Sequence, residues 1–317
     1  MDVKTLLALF NVAARTEFNR GHQSLKPEIG GLLYEYPSGP VEKMNFPFFG
    51  FLEGMAEFTG TSIFKEFPDG YNFDVTNKEW QMGVAIKSAD IERAANIGNI
   101  TGLDVYKQRI GELPQVAGEH PYELALDMLE VGDASTYGTC FDAQNLFDTT
   151  HDYATAAGTQ SNLLTGTGTT VAQLLTDLNS ALAAMNGFNY QQGGTGNSKK
   201  RKLNKNRKLL VVCPDELYAS FEAIRTQTFI NSTENNWKGR FEIVSRPFTD
   251  TDDWYLINVD NSDRLSLFLY QIEKPVALEY PTVNDESYKN NKRFHWNAYG
   301  RYAVANGAWW KGVMTTN

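Results

Sequence analysis

The spacing of hydrophobic positions changes several times along the chain, and each change predicts an element. Val3, Leu6, Leu7, Phe10 and Ala14 recur at helical spacing, so residues 3–19 are expected to form a short amphipathic helix ended by Gly21. From Gly30 to Gly70 no period is sustained, and the stretch is dense in Gly, Pro and aromatic residues, including Tyr34, Tyr36, Phe46, Phe48, Phe49 and Phe51. It reads either as an irregular part of a core or as an extended arm whose rings bury against other chains. Next, Tyr71, Phe73 and Val75, then Trp80, Met82, Val84 and Ile86, alternate with polar residues. That period of two predicts two strands, or one bent strand, interrupted at Asn77–Lys78. Residues 89–131 return to helical spacing through Ile91, Ile97, Ile100, Leu103, Ile110, Leu113 and Val116. Pro121 is placed to open a second helix carrying Leu124, Met128 and Leu129, with Gly132 as its stop.

Residues 132–168 are rich in Gly, Ser, Thr, Asn and Asp and read as loop. The best-signalled helix follows: Thr170 and Gln173 form a capping box, Leu174, Leu175, Leu178, Leu182 and Met185 form a stripe, and Gly187 ends it. Residues 189–207 read as a polar, basic loop. Residues 209–213 read as a buried strand, after which Pro214 opens a helix through Leu217, Phe221 and Ile224. Strand candidates then fall at 241–244, 254–259, 265–272, 276–280, 293–304 and 308–314. The final two are expected to form a hairpin at Asn306–Gly307, a dipeptide suited to a turn with positive φ at both central positions. The whole predicts an α+β fold with helices and sheets segregated along the chain.

At 317 residues, with 42% hydrophobic and 13% aromatic content, the chain can build two compact units and is not a disordered protein. A net charge of −9 argues against a general nucleic-acid coat. Cys140 and Cys213, with no CxxC spacing, suggest neither a zinc site nor a disulfide framework and fit a reducing compartment. Asp2, Lys4, Arg15 and Glu17 break up the N-terminal apolar stretch, so no secretory signal is expected. No run approaches the ~18 apolar residues of a membrane span, and no membrane partner is expected.

Candidate chemistry is sparse. Asp142, Asp148, His151 and Asp152 cluster on one loop, where carboxylates and an imidazole could hold a divalent metal, as in a metal-dependent hydrolase. No HExxH spacing or second cluster supports that alternative. His295, between Phe294 and Trp296, is expected to be packed or interfacial. No GxSxG is present, and Gly193–Lys199 lacks the ending and the feeding strand of a phosphate loop. The one charge anomaly is Lys199, Lys200, Arg201, Lys202, Lys205, Arg207 and Lys208, seven cations in ten residues of an acidic chain. Without interleaved aromatics it suggests a polyanion or partner contact and not base stacking. The residues predict no catalytic set and no cofactor.

Three stretches in order carry a family resemblance: Asn77-Lys78-Glu79-Trp80 through Ile86 to Asp90-Ile91-Glu92; Cys140-Phe141-Asp142-Ala143-Gln144-Asn145-Leu146-Phe147-Asp148-Thr149-Thr150-His151; and Leu210-Val211-Val212-Cys213-Pro214-Asp215-Glu216-Leu217. With Asp253-Trp254-Tyr255-Leu256 and Arg301…Trp309-Trp310 they resemble the Mu-like phage major head subunit, gpT-type, from about residue 60 onward. The chain departs from the family pattern at Asp152, where proline usually follows the histidine, and in its basic block. The resemblance implies a tailed-phage major capsid fold of the Hong Kong 97 type: N-terminal arm (1–30), extended loop (31–88), peripheral domain (89–150 and 266–317) and axial domain (151–265). It implies a non-enzymatic shell protein found in the virion and assembled in the host cytoplasm. Its partners would be copies of itself in hexamers and pentamers, portal, scaffolding and decoration proteins, and double-stranded DNA bound without sequence specificity. Phe46, Phe48, Phe49, Phe51 and Trp80 are then the interface candidates. An encapsulin-like nanocompartment shell is the alternative within the fold.

Overall fold

Alternating apolar and polar positions give one sheet, and a continuous apolar run nucleates a second. The computed structural model describes residues 31–48, 71–97, 101–152, 158–192, 199–230 and 232–317, together with residues 7, 8, 11, 12, 14–16 and 18, all of them helical. In chain order, β1 (Leu33–Pro37) precedes the hairpin β2 (Lys43–Phe48) and β3 (Tyr71–Thr76), then β4 (Lys78–Lys87), α1 (Ser88–Ile97) and α2 (Thr101–Glu130). After a long loop come β5 (Leu163–Thr165), α3 (Val171–Gly187), the hairpin β6 (Asn189–Gln192) and β7 (Lys199–Lys202), β8 (Leu209–Pro214) and α4 (Asp215–Thr226). The last third supplies β9 (Phe241–Arg246), β10 (Trp254–Asn258), β11 (Phe268–Glu279), β12 (Arg293–Asn306) and β13 (Gly312–Thr316).

The first sheet has the order β1-β11-β12-β4. β12 pairs along all of β4, from Arg293 opposite Lys87 to Tyr302 opposite Lys78. Its alternation buries Phe294, Trp296 and Ala298 and leaves His295 exposed, so that histidine is not packed within the chain. The buried face meets Leu7, Ala14 and Phe18 of the N-terminal helix and Ile110 and Leu113 of α2. The Trp296 indole N–H donates to Asn11 Oδ1 at 2.9 Å, which fixes that helix to the sheet. Helix α2 does not restart at Pro121; it runs unbroken through Pro114 and Pro121. Each proline costs about 3 kcal/mol in a helix interior. Burial of Ile110, Leu113, Leu126, Met128 and Leu129, at about 1.5–3 kcal/mol each, outweighs that. By their residue counts α2 and β12 are each roughly 45 Å long.

The second sheet has the order β9-β8-β10-β13-β5. All six residues of β8 are buried, as a central strand covered on both faces requires. Helix α3 packs on β13 and β10 of this sheet and against α4, burying Leu174, Leu178, Ala181 and Met185 in the same core. It begins and ends where the sequence predicts: the Leu174 N–H donates to Thr170 O at 2.8 Å, the Thr170 N–H donates to Gln173 Oε1 at 3.3 Å, and Gly187 is its last residue. The segment expected to be a basic loop instead contains the paired strands β6 and β7, with Asn189 opposite Lys202 and Gln192 opposite Lys199.

The expected Asn306–Gly307 hairpin does not form. Neither residue has positive φ, and β13 leaves for the second sheet, where Met314 faces Tyr255 and Val313 faces Leu256. The glycine serves a close backbone approach: its N–H donates to Leu267 O at 2.8 Å, and a Cβ there would stand 2.6 Å from Ser266 O. A 3-10 turn over Trp309–Lys311 then carries the chain from one sheet to the other, with both tryptophans buried in the larger core. Gly307→Ala should therefore lower stability by about 1–3 kcal/mol in a denaturant melt, because backbone and not a pliable side chain stands in the way. Gly187→Ala, with nothing within 4 Å of its added methyl, should not destabilise the protein.

Candidate assembly surfaces

Among the described residues, β2 and β3 pair only with each other. Phe46 stacks on Phe73 across the hairpin, with ring centroids 5.5 Å apart, and meets Tyr36 edge-on at 5.5 Å. Lys43 and Asp74 form an exposed ion pair at 2.6 Å. The hairpin foot is clamped by the buried Asn77, which donates its N–H to Glu42 O at 2.8 Å and its amide to Val41 O at 3.0 Å. Phe46 is half-buried on this hairpin, and Phe48 is the last residue of β2, opposite Tyr71. Phe49 and Phe51 lie outside the described residues. Trp80 sits on β4, half-buried, its indole N–H donating to Tyr302 O at 3.0 Å and its ring against His120 and Tyr302. The described interface candidates, Phe46, Phe48 and Trp80, thus fall on two different elements, β2 and β4.

The loop cluster around His151 is a packing node. His151 Nδ1 lies 2.8 Å from Asp142 Oδ2 with both side chains buried, and Nε2 lies 3.3 Å from Leu146 O. Both ring nitrogens lie against oxygens of the same loop and the side chain is fully buried, so neither nitrogen points into open space. The ring stacks on Trp309 at 4.2 Å and 6°. Asp148 accepts from Thr150 N–H and Oγ1–H, which closes the loop on itself. Among the described residues no three His, Cys, Asp or Glu side chains group to hold a metal ion. Burial, with Asp142 and Asp148 nearby, pushes the Cys140 thiol well above its ordinary value. Burial and then Asp215 push Cys213 up to about 12. Both cysteines are therefore protonated at neutral pH and poor nucleophiles.

The basic block divides between the β6–β7 hairpin and the approach to β8. Lys202, Lys205, Arg207 and Lys208 are exposed, and Lys208 reaches Glu242 at 3.3 Å. Behind them Lys311 is only 2% exposed, its ammonium donating to Asp260 O and pairing with Asp263 Oδ2, both at 2.8 Å. A lone lysine inside the apolar run 308–314 is the sequence signal for this anchor, and its role there was not anticipated. A second charged region, not legible as a motif, gathers Glu130, Asp133, Asp250, Asp252 and Asp253. Glu130 accepts the Thr249 N–H at 2.6 Å, and the Asn317 N–H donates to Asp253 Oδ1 at 3.2 Å. Burial first, then Asp250, raises the Asp253 carboxyl to about 6, with Asp133 and Asp252 adding to the rise.

Comparisons with known proteins add the following. A family model described as Mu-like prophage major head subunit gpT matches residues 7–193. No curated protein matches the chain. Among solved structures the chain is similar to the procapsid of bacteriophage JBD30, with TM-score 0.55 and 18% identity over 99% of this chain and 75% of that one. It is also similar to the bacteriophage JBD30 capsid (TM-score 0.47, 17% identity, 92% of this chain and 65% of that one). A third is the virus-like particle from Pyrococcus furiosus (TM-score 0.48, 10% identity, 96% of this chain and 98% of that one). The observed α+β architecture is that of the tailed-phage capsid proteins.

Two outcomes follow from these sites. His151→Ala strands the buried Asp142 carboxylate and should cost about 3–5 kcal/mol in chemical denaturation, whereas a catalytic histidine could be removed at little cost in stability. Asp253 has a folded-state value raised above its ordinary 3.8, so its ionisation opposes folding: the penalty is absent below about pH 4, grows up to about 6 and is full above that. Asp253→Asn should therefore raise the melting temperature at pH 8, and the gain should vanish by about pH 4.

Proposed function

The chain belongs to the Mu-like prophage major head subunit gpT family, and on that premise we propose that it closes an icosahedral shell of hexamers and pentamers around double-stranded DNA. It is a major capsid protein of a tailed bacteriophage, a structural protein and not an enzyme. The supporting observation is the β2–β3 hairpin, a pair of strands outside both main sheets that carries a stacked aromatic face. Exposed Met82, Tyr218 and Phe229 add apolar surface suited to contacts between copies. In this reading residues 1–30 act as the arm and 31–88 as the extended loop, while 89–150 with 266–317 form the peripheral part and 151–265 the axial part. Phe46, Phe48, Phe49, Phe51 and Trp80 contribute to contacts between copies. The shell contacts portal, scaffolding and decoration proteins, holds its DNA without sequence specificity, and assembles in the host cytoplasm. The nanocompartment alternative is disfavoured by family membership, and the hydrolase alternative by the buried, doubly engaged His151.

Electron microscopy of the full chain, expressed with the proteins encoded beside it, should show closed particles or isolated capsomers; a monomer under every condition overturns the reading. A variant lacking residues 43–76 should fold, because residues 42 and 77 are already joined by a hydrogen bond of 2.8 Å, and should fail to close shells. Intact shells from that variant would remove the hairpin from the assembly argument.

A further inference from the structure

The two charged regions lie at opposite ends of one sheet. Strand β8 starts directly after Lys208 and ends with Pro214 opposite Arg246. Strand β10 runs back beside it, with Tyr255 opposite Val212 and Asn258 opposite Leu209. Asp253, just before β10, therefore marks one end and Lys208 the other, about 20 Å apart over six strand residues. The Asn317–Asp253 and Thr249–Glu130 hydrogen bonds hold the acidic group at its end, and the Lys311–Asp263 pair anchors the basic end.

Neither region is balanced from within. At the basic end Glu242 faces Lys208, and Asp260 and Asp263 lie beside the buried Lys311; five cations against three carboxylates leave this end net positive, with Lys202, Lys205 and Arg207 exposed. At the acidic end Asp133, Asp250 and Asp252 are exposed, and Arg246, which closes β9 at that end, acts on Asp127. Burial raises the Asp253 carboxyl, and the neighbouring Asp250, Asp133 and Asp252 add to the rise.

We infer that the cationic end of the second sheet docks on the anionic end of the same sheet in a neighbouring copy, so that copies join head to tail. This rests on the shell reading above and names the surface through which its rings would close. A contact between two different patches of one chain is heterologous, and heterologous contacts close into rings when the rotation permits. A nucleic acid would match the basic end alone. A second copy matches both ends, and the chain's net charge of −9 disfavours a surface evolved for polyanions in bulk.

The test uses the full chain under conditions in which the unaltered protein forms particles. Lys202→Glu/Lys205→Glu/Arg207→Glu should remain folded by circular dichroism and lose particle yield by about tenfold or more, since like charges would then face each other. Asp133→Lys/Asp250→Lys/Asp252→Lys should fail in the same way. Combining all six changes reverses both ends together and should restore assembly, which a merely misfolded variant could not do. Normal yield from either triple variant overturns the inference, as does a failed rescue by the combined variant. Normal shells that have lost affinity for a short DNA duplex reassign the basic end to nucleic acid and equally overturn it. If the unaltered chain forms no particles at all, the shell reading itself fails first, so the two failures are distinguishable.

Discussion

The two sheets meet at a three-residue turn, and the rest of the molecule is arranged around holding it. Trp309, Trp310 and Lys311 are each gripped by a different element. Asn162 donates to the Trp309 carbonyl at 3.1 Å, Asn204 donates to the Trp310 carbonyl at 2.7 Å, and the Lys311 ammonium reaches Asp260 and Asp263. His151 lies flat on Trp309, and Phe188 meets the same ring edge-on at 5.2 Å. Burial of each indole is worth roughly 4–6 kcal/mol on area grounds. The Trp309 N–H finds no acceptor among the described residues, which costs about 1–3 kcal/mol, so the apolar term dominates. The described residues between α2 and β5 are tied to this turn through Asn162, which donates to Leu146 O as well as Trp309 O and accepts from the Asp148 N–H.

Elements whose cause is local could be read in advance. The stripe and caps of α3, the period-two run of β4 and the unbroken apolar run of β8 all carry their information within a dozen residues, and all three form as expected. The failures share the opposite cause. Asn306–Gly307 has the chemistry of a tight turn, but the glycine is needed where the chain passes Ser266 and Leu267, a contact between strands that sequence spacing cannot show. Pro121 carries a helix-start signal that was overruled by packing against β12, whose residues lie far away in the chain.

The charged surfaces divide in the same way. The basic block is contiguous, so it stood out in an acidic chain, although its fold as a hairpin did not. The acidic end is assembled from the C-terminus of α2, the loop before β10 and the last residue of β13's extension, and no window of sequence contains it. The Asp142–His151 pair was visible as a cluster, but its meaning depends on Trp309 lying beneath it, more than a hundred residues later.

Helix α2 and strand β12 are of nearly equal length and lie in contact, so the first sheet and its helix form a plate long in one direction and only two layers thick. Such a plate is stiff along its length, because bending it would break strand pairing and helix hydrogen bonds together. In a wall tiled from copies of this chain, curvature then falls on the joints and not within the tiles. One subunit shape can serve at sharply curved and nearly flat positions, provided the contacts between tiles tolerate a change of angle.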